Sequence, residues 1–153
     1  MVSHAAGISV ATFIIAVAVS FGYYQFLYLP QANAKPILPE EVLHPAQTVQ
    51  VKIAQGASLP TNGQFFVPKQ AQGTLGQSNK VVWTNTDTTA HSVTSDKGYV
   101  DKINGDFDSI KQGGLVLPGK TFEFTFTQAG DYPYHCEPHP HMQGVVSIAE
   151  SKF

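Results

Sequence analysis

The stretch 130-GDYPYHCEPHPHMQG-144 constrains this chain more than any other. It holds the only cysteine, Cys136, three of the six histidines (His135, His139 and His141) and the one methionine besides the initiator, Met142. A thiolate, an imidazole and a thioether thus fall within seven residues. Soft sulfur combined with imidazole nitrogen selects copper or zinc over magnesium or calcium. A mononuclear blue-copper site takes two His, one Cys and a weak axial Met. The loop offers the Cys, one His and the Met, so a second His must come from elsewhere. The segment 81-VVWTNTDTTAHSV-93 supplies His91 in a strand-like context. Singly, each residue has a plain reading: Cys136 as a small buried hydrophobe, Met142 as core, His91 as a hydrogen-bonded loop residue. C-x-x-H-x-x-M closing a strand, with a remote His on another, is what points to a metal.

Period-two patterning predicts an all-β domain around these residues. Val49, Val51 and Ile53 alternate with Gln50, Lys52 and Ala54, as in a half-buried strand. Residues 81–84 and 91–95 read as strands, the second starting at His91. Phe122, Phe124 and Phe126 alternate with Glu123 and Thr125 in the clearest strand of the chain. Tyr132 to Cys136 is a further strand, and Val145 to Ala149 closes the sheet. Residues 55–79, rich in Gly, Pro, Asn and Gln, read as loop, short strand around Phe65, Phe66 and Val67, and loop again. Residues 96–114 read as a solvated loop; Asp106 and Asp108 lack the spacing and terminal Glu of a calcium loop. Many short strands at close spacing predict a β-sandwich. His135 neighbours Cys136 on a strand and so points to the opposite face. A plain surface or strand-pair role is favoured for it.

Residues 7–29 carry no charged side chain. Roughly 20 apolar residues span a bilayer core, so this run reads as a transmembrane helix, with Tyr23, Tyr24 and Tyr28 as an interfacial belt. A cleaved signal peptide is the rival, and Ala32-Asn33-Ala34 has the A-x-A form of a cleavage site. Against it, the run exceeds the usual apolar segment of about 7–15 residues, and no Lys or Arg precedes it. A retained anchor is therefore favoured. Residues 30–47 hold four prolines and read as an extended, semi-rigid tether, with His44 as a solvated linker side chain. The expected organisation is an anchor (or uncleaved signal) at 1–29, a Pro-rich linker at 30–47 and a β domain at 48–153. Nine Lys, no Arg and eleven acidic residues are sparse and nearly balanced, and nothing in them suggests a nucleic-acid partner, which would demand a basic face. A single Cys makes no internal disulfide, so in a chain that looks exported it is buried and inert or a metal ligand.

From about residue 48 to 149 the chain resembles the plastocyanin/amicyanin group of cupredoxins. Val81, Trp83, Asn85, Asp87, His91 and Val93 match V-x-W-x-N-x-D-x-x-x-H-x-V. Pro118, Gly119, Phe122, Phe124 and Phe126 match P-G-x-x-F-x-F-x-F, and the loop G-x-Y-x-Y-H-C-x-x-H-P-x-M-x-G is complete from Gly130 to Gly144. The three-residue step from His139 to Met142 is amicyanin-like. The resemblance implies a Greek-key cupredoxin sandwich holding one type 1 copper through His91, Cys136, His139 and Met142. It also implies that the His139 imidazole reaches the surface in an apolar patch as the electron port. Residue order alone does not choose between His139 and His141 as the second imidazole. The family's C-x-x-H step chooses His139, and Pro138, which presets φ for a tight turn, agrees. His141 stands where relatives carry an aromatic, and with Pro140 and Pro118 it forms an expected partner-contact set. Ser92 replaces the Asn that ties two loops together in relatives; it can donate one hydrogen bond but is expected to bridge less well.

Three functions compete. The favoured one is a membrane-tethered carrier passing single electrons between respiratory complexes on the outer face of a cell membrane, through redox partner proteins. The others are a non-catalytic copper subunit of a larger membrane oxidoreductase and a copper-handling protein. One cysteine excludes a dinuclear two-cysteine centre, and six histidines are too few for a trinuclear centre beside this site. Catalysis by this chain alone is therefore not expected.

Overall fold

The computed structural model describes residues 4–32 and 38–151, and the chain divides into two units between residues 36 and 37. In the first unit a helix runs over His4–Tyr23, continues through a π-helical turn at Tyr24–Tyr28, and ends with Leu29–Ala32. The π turn ends two residues before Pro30 and contains Phe26, four residues before it. A proline ring excludes the carbonyl four residues earlier, and a widened turn relieves that clash. Val10–Ala32, 23 residues with none of their apolar window buried, is long and apolar enough to cross a membrane. The rings of Tyr24 and Tyr28 stack at 5.5 Å. The expected cleavage motif ends at Asn33 and Ala34, which lie outside the described residues.

The second unit is built on two four-stranded sheets. The first pairs β1 (Thr48–Ile53) with β2 (Phe66–Val67) on one side and β4 (Lys80–Asn85) on the other, and β4 with β8 (Thr121–Thr125). The second runs in the order β3 (Gln70–Thr74), β10 (His139–Ala149), β9 (Gly130–Cys136) and β5 (Thr94–Ser95). β1 lies parallel to β4 and β3 parallel to β10; the other pairs are antiparallel. A short hairpin joins β6 (Val100–Asp101) to β7 (Gly105–Asp106). Strand alternation sets the core. Val81, Trp83 and Asn85 of β4 point inward, as do Tyr132, Tyr134 and Cys136 of β9 and Met142, Val146 and Ile148 of β10. They pack with Phe107, Phe124 and Phe126, and fully burying each such Phe is worth roughly 1.5–3 kcal/mol. Cys136 is thus inside because it shares parity with two core tyrosines, and His135 is turned the other way.

Four local expectations differ from the structure. β3 falls in a region expected to be loop, because QAQGT shows only one buried apolar side chain, Ala71. The strand expected at 91–95 shrinks to Thr94–Ser95, with His91 bridging Val116 in isolation. Residues 96–114 hold the β6–β7 hairpin and a helical turn, Ser109–Gln112, which Asp108 caps by accepting from the Ile110 and Lys111 amides. The extended tether is helical at Leu29–Ala32 and again at Glu40–Leu43, where Val42 is buried and its carbonyl accepts from Asn79 Nδ2 at 2.8 Å.

Candidate metal centre

His91 sits on a segment held at both ends. Its backbone exchanges two hydrogen bonds with Val116, His91 N to O at 3.1 Å and Val116 N to O at 2.7 Å. Upstream, Asn85 Nδ2 donates to the carbonyls of Thr89 and Val116, and its Oδ1 accepts from Asp87 N. Asp87 in turn accepts from the amides of Gly56, Thr88 and Ser58 and from His91 Nε2 at 2.9 Å. Burial works against its ionised form, but the Gly56 amide, His91 and the Thr88 and Ser58 amides outweigh it and hold the carboxyl at about 2. A carboxylate only accepts, so Nε2 of His91 carries the proton and Nδ1 presents its lone pair.

That lone pair faces Cys136. His91 Nδ1 and His139 Nδ1 each lie 3.6 Å from Cys136 Sγ, and the three atoms are within 4.8 Å of one another. His91 and Cys136 are fully buried, while His139 is half-exposed. The approach of His139 follows from strand register. His139 pairs with Cys136 and Gln143 with His135, so residues 140–142 bulge from the ladder between them. Met142, at the end of that bulge, is fully buried in the same apolar cluster as Cys136. Gly144 makes room for the neighbouring ring: a Cβ there would stand 2.5 Å from Tyr134 Cζ.

The donor set fits a borderline-soft metal. Burial raises the Cys136 thiol above its usual value, with the Ser92 amide opposing in part, so a metal must displace its proton. Burial, then the neighbouring imidazoles of His91 and His141, lowers His139, which therefore keeps its lone pair to more acidic pH than an ordinary His. Ser92 ties the two ligand segments together more fully than expected. Its amide donates to Cys136 Sγ at 3.3 Å, and its hydroxyl accepts from Glu137 N at 2.8 Å.

The family model for copper binding proteins of the plastocyanin/azurin family matches residues 48–149. The chain belongs to that family. It is 32% identical over 116 residues to amicyanin of Paracoccus versutus, covering 76% of this chain and 74% of that protein. It is 26% identical over 112 residues to amicyanin of Paracoccus denitrificans, covering 63% and 81%. Among solved structures, a purple cupredoxin from Nitrosopumilus maritimus superposes with a TM-score of 0.52 at 27% identity, over 65% of this chain and 98% of that one. The fold is that of a cupredoxin and the cofactor is copper.

The remaining expected residues are spread around this centre. His141 is less free than a rim position implies: Nε2 donates to the Ala57 carbonyl at 3.1 Å, and the ring packs edge-on against Phe65 at 4.9 Å. Pro140 and Pro118 are exposed. His135 lies between the carboxylates of Asp96 and Glu137 on the face away from the core. Asp87 and Ser92 were visible in the sequence only as motif positions. Their partners Gly56 and Glu137 lie 31 and 45 residues away, beyond any local signal.

Proposed function

We propose that this cupredoxin is a membrane-tethered electron carrier with one type 1 copper that would be held by His91, Cys136, His139 and the thioether of Met142. The observation that carries this reading is the convergence of one buried thiol and two imidazole Nδ1 atoms within 4.8 Å. Copper bound there would supply a one-electron couple, to which a His-His-Cys set with a weak thioether donor is suited. The chain's part is to hold those donors still. Asp87 fixes the tautomer and plane of His91. Ser92 N–H donates to the sulfur of Cys136, and the strand register presents His139. His139 alone of the three is half-exposed, which makes its edge the path for electrons. Leu115 and Leu117 flank Val116, which bridges His91, and Pro118 follows; together with Leu59 and Pro140 they are exposed. Such an apolar surface suits brief docking of redox partner proteins.

The apolar helix over Val10–Ala32 supports retention in a cell membrane. On this reading the copper domain lies on the extracytoplasmic side and passes electrons between respiratory complexes. Copper titration of the purified protein, followed by visible absorption and EPR, tests the centre. An intense thiolate-to-copper band that disappears in Cys136→Ser is expected, whereas a colourless Cu(II) form with ordinary hyperfine splitting would sink the reading. Resistance of the native protein to extraction by high salt and carbonate tests the anchor; an N-terminus beginning at Lys35 would show cleavage instead.

A further inference from the structure

Behind the thiol a line of hydrogen bonds continues past Ser92 to residues that the copper-holding role does not use. Ser92 Oγ lies 3.2 Å from Thr94 Oγ1, which lies 3.4 Å from Asp108 Oδ1. Ser92 is fully buried, Thr94 is buried and Asp108 is half-buried. The line is braced on both sides. Ser109 N donates to the Val93 carbonyl at 2.9 Å, Val93 N donates to Ser109 Oγ at 3.0 Å, and Ser95 N donates to the Phe107 carbonyl.

A hydroxyl carries one proton, so Thr94 cannot donate to both neighbours. Asp108, as a carboxylate, only accepts, and a bond to a charged acceptor is roughly twice as strong as one between neutral groups. Thr94 therefore donates to Asp108, and its oxygen accepts the proton of Ser92. Ser92 in turn accepts from Glu137 N at 2.8 Å. Every hydroxyl then gives once and receives once, in one direction from Glu137 N–H to the carboxylate. Ser92 itself lies against the sulfur, its amide 3.3 Å from Cys136 Sγ, so a hydroxyl proton not taken by Thr94 has that sulfur as its other acceptor. The proton has two destinations, and Asp108 decides between them.

We propose that Thr94 and Asp108 are positioning residues that draw the Ser92 hydroxyl proton away from the Cys136 sulfur and so hold down the reduction potential of the centre. The inference rests on the copper reading above. With the proton drawn off, the Ser92 amide is the donor to the sulfur from this residue. A second donor would stabilise charge on the thiolate, weaken its donation to Cu(II) and favour the reduced state; hydrogen bonding around the cysteine sulfur is a known control on such potentials.

Redox titration of the copper-loaded full-length protein in detergent tests this. Thr94→Val should release Ser92 to the sulfur and raise the potential, by about tenfold in the ratio of reduced to oxidised protein at fixed poise, the worth of one hydrogen bond. Thr94→Ser should restore the native value. In the Thr94→Val background, Ser92→Ala should cancel the rise. An unchanged potential in Thr94→Val, or a rise that survives Ser92→Ala, overturns the proposal. If Thr94→Val does not fold, Asp108→Asn decides: a raised potential that is cancelled by adding Ser92→Ala supports the proposal, and an unchanged potential or a rise that survives Ser92→Ala overturns it. A native protein with copper bound but no thiolate band would overturn the parent reading, and this one with it.

Discussion

Asp87 Oδ2 accepts Nε2–H of His91 at 2.9 Å, with both side chains out of solvent, and the opposite nitrogen of the same ring faces Cys136 Sγ at 3.6 Å. One ring atom is thereby spoken for so that the other is free. Asp87 is itself fully engaged: Oδ1 takes the amides of Gly56 and Thr88, and Oδ2 takes Ser58 N and His91. Asp87→Asn is consequently not a mild change. Whichever way the amide turns, its NH2 meets donors. The expected outcome is a loss of roughly 10–100-fold in copper affinity, as for other groups that orient a ligating His, measured by competition with a chelator of known affinity. Unaltered affinity would show that the pair is not what orients His91.

His139→Ala should abolish the blue site, while His141→Ala should leave the spectrum intact. The first residue places Nδ1 at 3.6 Å from the sulfur; the second spends Nε2 on the Ala57 carbonyl and packs on Phe65. Absorption spectra of the two copper-loaded variants check this, and reversed phenotypes would overturn the assignment of ligands in this loop. His141→Ala should still cost about 1 kcal/mol of stability from its lost hydrogen bond.

Met142→Leu should retain copper and shift the potential upward. The side chain is fully buried at the end of the 140–142 bulge, so a similar-sized apolar replacement fits with little repacking. Loss of a weak thioether donor would disfavour the oxidised ion, because such a ligand tunes the potential. Voltammetry reads the shift; an unchanged potential would mean that Met142 is core and nothing more.

The parts of this molecule legible from its sequence are those governed by alternation or by adjacency. Phe122 and Phe124 mark β8, and Tyr132, Tyr134 and Cys136 share one face because residues two apart must. What escapes is set by partners remote in sequence. Gln70–Thr74 becomes a strand because β10 offers an edge and because its small residues fit there, not through any apolar pattern of its own; a Cβ on Gly73 would stand 2.3 Å from the Ser78 carbonyl oxygen. Val42, inside a Pro-rich segment, is fastened by Asn79, 37 residues later. Ser92 bridges as an acceptor and through its backbone, a role that counting side-chain donors does not reveal.

Asp101 makes stability depend on acid. Its carboxylate is 2% exposed and accepts from the amides of Ile103, Asn104 and Thr127 and from the hydroxyls of Thr127 and Tyr99. Burial tends to raise its pKa, but the bonds from Thr127, Asn104 and Ile103 win and hold it below the ordinary value. A group with a lowered folded pKa stabilises above the unfolded value, near pH 4, and that contribution is lost as pH falls further through the folded value. Urea midpoints of metal-free protein should therefore drop below about pH 4. Asp101→Asn should lose about 1–3 kcal/mol at pH 7, since a buried acceptor set is left mismatched, and should flatten that decline. An equally steep decline in the variant would clear Asp101 of the effect.

Gly144 is glycine for a reason that does not involve left-handed backbone. It lies in β10 opposite Tyr134 of β9, and the tyrosine ring crosses directly over its Cα. A Cβ would meet Cζ at 2.5 Å and Oη at 2.6 Å, well inside van der Waals contact. The ring has nowhere to retreat. Tyr134 is fully buried, with Phe66 at 4.7 Å, Trp83 at 5.5 Å and Phe107 at 5.9 Å around it. Gly144→Ala should therefore cost roughly 1–3 kcal/mol of overpacking, seen as a lowered urea midpoint. The displacement should reach the metal, because Tyr134 is two residues from Cys136 on the same strand and Gly144 two residues from Met142 on the next. The double variant with Tyr134→Phe separates the causes: it removes the hydroxyl, one of the two closest atoms, and should recover part of the loss. A double variant no more stable than Gly144→Ala alone would place the strain elsewhere.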